Sequence, residues 1–500
     1  MLIQIALYTG ICLSAVFRSQ GHLKSRVIKR GIASYSSGFK VKSLIPFPNL
    51  NIHGVHLKHT LSGADYFHIM TEGESEKAFC IAFRTPSCDN SGVAGAVENM
   101  VSMGGSKYFP SPSTLEDLYL KYQNESIYGL TTNDRTLFSF AAHDQGEYEE
   151  FRRFYFDSSF NPLLKRSDFR DLVWRYGEFR RIYLDTSSTP PNESDYTKLV
   201  WKSTDSEAEI SGKLYNCAIS DEDDYNAIMT RHVNRLLFKD TMYEHECTGL
   251  PDQIPFLTIE KVREYHRRYY RLSNCLFMSM GDGKVLDDNL SFLNDQISEL
   301  YLHNHHGKEH FRASCSTPLL LQKGTKTETV KGPSSFLFDY VLWKSSSDMN
   351  EHAKLILINQ YLTLKYDSAL QEAMGPESLF IPSRYVNAAP VNMLGIALGF
   401  EGFRKPKALT PKLVDDALKH VIAKGICTDT MEDISHGIRK TLLYPKWPQD
   451  RVSIFDQIAN DWARGRSIFN LLFLHGNVLP RVVEETDSDE YARMIKSHLI

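Results

Sequence analysis

The apolar positions change period several times along this chain, and each change marks an element. Residues 57–63 and 64–69 alternate apolar and polar positions around a turn signal, the pattern of a hairpin. Ala78-Phe79-Cys80-Ile81-Ala82-Phe83 is an apolar run of strand length. Residues 128–142 contain Thr136-Leu137-Phe138-Ser139-Phe140, residue types that suit a pleated, half-buried surface. Helical spacing follows over 147–156, and Thr258 is a natural N-cap for a later helix, although Lys261 does not complete a capping box. From residue 319 the pattern restarts. Residues 329–331 and 335–342 read as strands, 353–366 as a helix and 392–400 as a strand. Helices follow over 410–423, opening at Pro411, and over 450–464, with Trp462 near its end. Strands then helices, twice in similar order, predict an α+β chain of two duplicated units, each a mainly antiparallel sheet packed against helices.

One helix in this scheme is awkward. Gly92-Val93-Ala94-Gly95-Ala96-Val97-Glu98-Asn99-Met100 is a Gly-led turn into a short helix, stopped by Gly104-Gly105. Val93, Val97, Met100 and Val101 mark its apolar side. Gly95, Glu98 and Asn99, at i, i+3 and i+4, share one face. A glycine inside a helix costs roughly 1 kcal/mol against alanine, so Gly95 requires a cause.

Composition narrows the function classes. The chain has 500 residues, 57 Lys plus Arg against 61 Asp plus Glu, and 42% hydrophobic residues. This is an ordinary globular balance with no basic excess for nucleic acid. Its eight cysteines are dispersed without a C-x-x-C pair, which argues against a local thiolate zinc site and a dense disulfide scaffold; free buried thiols are the plainer reading. Residues 1–37 read as a leader. The start is apolar to Phe17, no acid precedes Asp65, and Arg18, Lys24, Arg26, Lys29, Arg30, Lys40 and Lys42 intervene. Such a leader engages a membrane transiently. Its hydrophobic start and basic, Ser-rich tail resemble the bipartite leader of complex plastids reached by the secretory route. A mitochondrial, secreted or vacuolar destination is the alternative. Asn124, Asn192 and Asn289 are sequons that would be available on a secretory route. The polar run with His303, His305, His306 and His310 reads as a solvated connection rather than a metal site.

The awkward helix also sits in a telling frame. Ile81-Ala82-Phe83-Arg84-Thr85-Pro86, Asn90-Ser91-Gly92-Val93-Ala94 and Gly105-Ser106-Lys107-Tyr108 resemble the segments around the H-x-x-E-H zinc helix of the insulinase/pitrilysin (inverzincin) metallopeptidases. The nearest branch is that of the presequence proteases and falcilysin, and the likeness covers their N-terminal half. Residues 154–164, the helix start at 169–181 with Trp174, and 248–282 also match the family's pattern. His266 falls on a structural histidine of that pattern. In the family's motif two histidines four apart bind zinc and the intervening Glu activates water. By this resemblance the ligand positions hold Gly95 and Asn99, and only the general-base position, Glu98, is kept. The third ligand position, in the run Gly212-Lys213-Leu214-Tyr215-Asn216-Cys217, is Cys217. The family's substrate-clamp pair aligns with Tyr128-Gly129, before a retained Thr131-Thr132-Asn133-Asp134.

The resemblance implies four segments: the leader 1–37, a first peptidase-like domain over 38–285, a connecting segment over 286–318, and a second domain without a metal motif over 319–500. It implies a chain descended from zinc metalloendopeptidases whose site no longer holds metal, with no cofactor expected. Such a chain would bind peptide, or a second peptidase-like polypeptide, as a subunit or scaffold. The alternative is an active zinc endopeptidase using replacement ligands, with His143, His245 or Cys217 converging on Glu98.

Overall fold

The computed structural model describes residues 38–71, 77–124, 126–176, 210–303, 336–344, 346–363, 380–381, 393–401, 411–443 and 448–500. The leader, the sequon Asn192, the strand expected at 329–331 and most of the histidine-rich run lie outside them.

The strands are β1 (Phe39–Phe47), β2 (Ile52–His59), β3 (Asp65–Met70), β4 (Lys77–Arg84), β5 (Ile127–Thr131), β6 (Arg135–Ala142), β7 (Arg175–Tyr176), β8 (Ile210–Ser211), β9 (Cys275–Gly281), β10 (Phe336–Lys344), β11 (Phe380–Ile381) and β12 (Met393–Glu401). The helices are α1 (Val93–Met103), α2 (Thr114–Tyr122), α3 (Gln145–Phe160), α4 (Arg166–Leu172), α5 (Lys213–Asp221), α6 (Tyr225–Leu237), α7 (Ile259–Tyr269) and α8 (Gly283–His303). They continue with α9 (Met349–Thr363), α10 (Pro411–Lys424), α11 (Thr428–Leu443), α12 (Pro448–Ala463), α13 (Asn470–Phe473), α14 (Leu479–Glu485) and α15 (Ser488–His498). The expected α+β architecture is present. A seven-stranded sheet runs β1-β2-β3-β9-β4-β6-β5, and a three-stranded sheet runs β10-β12-β11. In the larger sheet only β3 and β9 pair in parallel.

The large sheet is apolar on both faces, which is why β4 reads as an unbroken hydrophobic run rather than an alternating one. Phe79, Ile81, Phe83, Phe138, Phe140 and Phe277 face a core with Val97 and Met100 of α1, Tyr155 of α3 and Val262 of α7. Ala78, Cys80, Ala82, Leu137 and Met278 point the other way, onto Phe455, Ile458, Ala459 and Trp462 of α12 and onto Phe469 and Leu472. The helix expected over 450–464 therefore forms, and it packs against the first sheet. Its C-terminal end is held there by Arg84, which donates to the carbonyl oxygens of Trp462 (2.7 Å) and Ala463 (3.3 Å) and lies 3.5 Å from the centre of the Trp462 ring. A cation on the last carbonyls of a helix satisfies acceptors that the helix itself cannot. A third core joins Leu355, Ile358, Leu418, Val421 and Ile434 to Leu479, Tyr491 and Ile495.

Several sequence expectations need correction. Residues 286–303, assigned to the connecting segment, form α8, whose Leu286, Leu290, Leu293 and Ile297 belong to the first core; an i, i+4, i+7 apolar stripe explains why. The helix expected over 169–181 begins and ends earlier, as α4. Trp174 lies beyond it and donates its ring N–H to the Leu257 carbonyl at 3.0 Å. Not all the cysteines are buried: Cys80 and Cys275 are, whereas Cys88, Cys217 and Cys427 are exposed. The sequon residues Asn124 and Asn289 are buried, and their amides are engaged, Asn124 with the Ala141 carbonyl (2.7 Å) and Asn289 with the Tyr148 hydroxyl (2.9 Å). Among the described residues no helix is long and apolar enough to cross a membrane.

A candidate site on helix α1

Close backbone packing explains the glycines of α1. Gly92 begins the helix at φ +74°, and a Cβ there would lie 2.6 Å from the Thr248 carbonyl oxygen. At position 95 a Cβ would lie 3.2 Å from Leu214 Cδ1, 3.3 Å from Thr248 Cα and 3.4 Å from the Cys247 carbonyl oxygen. The Gly95 N–H donates to that same carbonyl at 3.3 Å. The facing segment is itself pinned: the Asn90 side chain accepts from Glu246 N (2.8 Å), and the Asn90 carbonyl from Leu250 N (2.9 Å). Gly95 thus sits where a loop from residues 246–250 presses backbone against helix, a use of glycine that its helix cost of roughly 1 kcal/mol opposes.

One turn on, Glu98 is half-buried and Asn99 is 9% exposed. The Glu98 carboxylate lies against β5: a Cβ at Gly129 would stand 2.7 Å from its Oε1. Burial raises the Glu98 pKa, while a hydrogen bond from the Thr131 side chain and the charge of Lys213 oppose the rise. Among the described residues no cation stands within ion-pair distance of it. The position is therefore neither a plain solvated helix residue nor a paired structural carboxylate.

β5 is an edge strand of the large sheet. Tyr128 on it is 42% exposed and Gly129 is exposed. Burial, with the charges of Asp456 and Glu98, raises the Tyr128 pKa. The structure thus brings Glu98 and the Tyr128-Gly129 pair together.

Cys217 is not brought in. Leu214 and Ala218 are the buried residues of α5 and join the first core, and Cys217, one position before Ala218, is exposed. The i, i+4 apolar pair was the sequence signal for that orientation. His143 is exposed, and the His245 carbonyl is held by the Asn133 amide at 2.5 Å. Among the described residues no three His, Cys, Asp or Glu side chains are grouped as a metal site would require. The donor chemistry also does not fit zinc: Gly95 offers no side chain, Asn99 only an amide, and the Cys217 thiol lies on the exposed side of its helix.

Sequence reasoning passed over two further contributors. Thr131 was visible only as part of a retained motif, yet its hydroxyl engages Glu98. Cys247 carried no local signal at all. Its thiol approaches the Thr131 carbonyl at 3.5 Å, and burial raises its pKa, with the charges of Glu246 and Glu98 adding to the effect.

The retained Asp134 is structural. It is fully buried, bonded to Arg135 (2.8 Å), Arg464 (3.0 Å) and the Tyr243 hydroxyl (2.8 Å). Burial alone would raise its pKa; the two guanidinium charges hold it at about 2. Arg135 also reaches Asp456 (2.6 Å) and Asn460 (2.9 Å) on α12.

No family model matches the sequence. A mouse protein named presequence protease, mitochondrial, is 25% identical over 431 residues, 83% of this chain and 38% of that protein. The chain spans less than half the length of this relative and of the fungal presequence proteases it matches. Among solved structures, a peptidase M16 inactive domain from Pseudomonas fluorescens superposes with a TM-score of 0.57 at 13% identity, covering 89% of this chain and 95% of that one. Pitrilysin does so at 0.55 and 13%, covering 92% of this chain and 46% of its own. In sequence the chain is similar to the presequence proteases, and in fold to the M16 peptidase structures, the likeness that the insulinase/pitrilysin resemblance of its motifs implies.

Proposed function

We propose that the chain is a catalytically silent relative of these peptidases that holds extended peptide along β5, alone or as the subunit of a second peptidase-like polypeptide. The packing at Gly95 carries this reading. Zinc hydrolysis needs a metal that polarises the carbonyl and lowers the pKa of bound water. The first ligand position has no side chain, and Leu214 and the 247–248 backbone stand in the space a side chain would enter. The lost ligand is therefore matched by surrounding packing, as expected of a site that has settled into another use. Glu98, a base position without metal to act beside, remains next to an edge strand whose outer side no described strand covers, an arrangement suited to strand addition.

The names of the relatives, mitochondrial presequence proteases, favour the mitochondrial alternative for its destination over the plastid one. Co-fractionation with mitochondria tests that part; enrichment in plastids or secretory vesicles overturns it.

The test of function is elemental analysis of the purified chain combined with incubation with an unstructured peptide. The expected result is substoichiometric zinc and intact peptide that co-migrates with the protein. Stoichiometric zinc with cleavage abolished by Glu98→Gln reverses the proposal in favour of an active enzyme with replacement ligands.

A further inference from the structure

A carboxylate that has lost its catalytic setting, yet stays partly buried without an ion-pair partner, is costly unless something pays for it. Among the described residues Glu98 has this character. Its Oε1 lies where the side chain of residue 129 would begin, and Gly129 is exposed on the edge strand β5. Glycine here is a window: any larger residue would stand between the strand edge and the carboxylate. No described strand covers the outer side of β5. The nearby acids Asp456 and Glu246 are each paired, with Arg135 (2.6 Å) and Arg231 (3.2 Å), which sets Glu98 apart from them. Lys213 is the nearest recorded opposing charge. It is exposed, its ammonium 3.0 Å from the Met103 sulfur, and it forms no ion pair with Glu98 among the described residues.

We propose that Glu98 is an anionic selector: an extended peptide lying along β5 presents a lysine or arginine side chain at Gly129, where it pairs with the Glu98 carboxylate. The inference rests on the peptide-holding reading above and names the peptide chemistry that reading leaves open. A half-buried acid paired with an incoming cation contributes mainly to discrimination, because a neutral or acidic side chain leaves it unpaired.

The test uses the full chain and a set of N-acetylated, unstructured, fluorescent peptides identical except for a central Lys, Gln or Glu, with binding read by anisotropy at low and physiological salt. The Lys peptide is expected to bind about tenfold more tightly than the Gln peptide and the Glu peptide more weakly still. Glu98→Gln should remove the Lys preference and leave Gln-peptide affinity within about twofold, which also shows that the groove remains folded. Gly129→Val, which covers the carboxylate with a strand-favouring residue, should reduce the preference in the same direction. Equal binding of all three peptides to the unsubstituted chain overturns the inference while leaving peptide holding intact. So does a Lys preference that survives Glu98→Gln. Binding of none of the peptides overturns both.

Discussion

Asp134 and Glu98 are both carboxylates removed from water near the β5–β6 turn, and the chain treats them in opposite ways. Asp134 is fully buried, yet two arginines and a tyrosine hydroxyl hold its pKa at about 2. Glu98 is less buried, has no ion pair among the described residues, and is shifted upward by desolvation. The first is a fastener: through Arg135 and Arg464 it joins the large sheet to α12 and the residue that follows it, more than 300 positions away in sequence. The second is a carboxylate without an ion pair among the described residues, beside the edge strand β5. Retention of a family residue therefore means different things at the two positions, and the partners of each side chain, rather than its presence, distinguish fold from function.

The comparison breaks most sharply at Asp134. Asp134→Ala takes from the buried Arg464 the carboxylate it pairs with and leaves Arg135 to Asp456 and Asn460, and removing one member of a buried charge cluster costs roughly 3–5 kcal/mol. Urea denaturation should show an unfolding free energy lowered by that amount, and α12 should become the first segment to exchange its amide hydrogens. A loss under about 1 kcal/mol would mean that Arg135 is adequately served by Asp456 and Asn460, and that the fastener reading is wrong.

Next in size is Gly95. Gly95→His forces a large side chain against Leu214 and the 247–248 backbone, and overpacking of this kind costs typically 1–3 kcal/mol. Combining it with Leu214→Ala should recover part of that loss, a coupling read by a double-mutant cycle. The fuller restoration, Gly95→His with Asn99→His and Cys217→Glu, is expected to yield a destabilised chain without stoichiometric zinc, since residue 217 lies on the exposed side of α5. Tight zinc binding by that triple variant would show instead that α5 turns readily toward α1.

The two carboxylates also have opposite pH signatures. Asp134 has a folded pKa below its ordinary 3.8, so the stability it provides is present above that value and is lost as pH falls toward about 2. Glu98 has a folded pKa above its ordinary value of 4.5, so the folded state holds its proton more tightly than the unfolded one, and stability falls as pH rises through 4.5. Denaturation from pH 2 to 7 of the unsubstituted chain and of Asp134→Asn should therefore show a steady difference above about pH 4 that closes along the acid limb as pH falls toward about 2. An unchanged limb contradicts the assignment of that limb to Asp134.

How much of this was legible from the residues depends on how far each cause lies from its effect. The strands β4 and β6, the N-cap Thr258 and the start of α10 at Pro411 follow from local pattern, because turn chemistry and burial act over a few positions. Gly95 was visible as an anomaly, but its cause, the Cys247–Thr248 backbone, is some 150 positions away and leaves no local mark. The site showed the same division. Periodicity could have turned Cys217 outward, given Leu214 and Ala218 on the inward face, whereas alignment to a motif placed it among ligands. The length of α8 was hidden because its apolar stripe was read as connection, although Leu286, Leu290, Leu293 and Ile297 keep helical spacing to the core.

The smallest effect is the most informative about Glu98. If its charge is maintained for binding and not for folding, Glu98→Gln should stabilise the free chain slightly at pH 7, by less than about 1 kcal/mol. The amide keeps the shape and can still accept from Thr131, while the desolvation of a charge disappears. The gain should vanish below pH 4.5, where the native carboxyl is protonated already. A loss of stability at pH 7 would reveal a hidden partner for the carboxylate in the folded state and would move Glu98 to the side of Asp134, as part of the scaffold. A gain confined to neutral pH leaves it as a charge that Thr131 and Lys213 offset in part, that the fold tolerates at a cost, and that a bound cation would offset further.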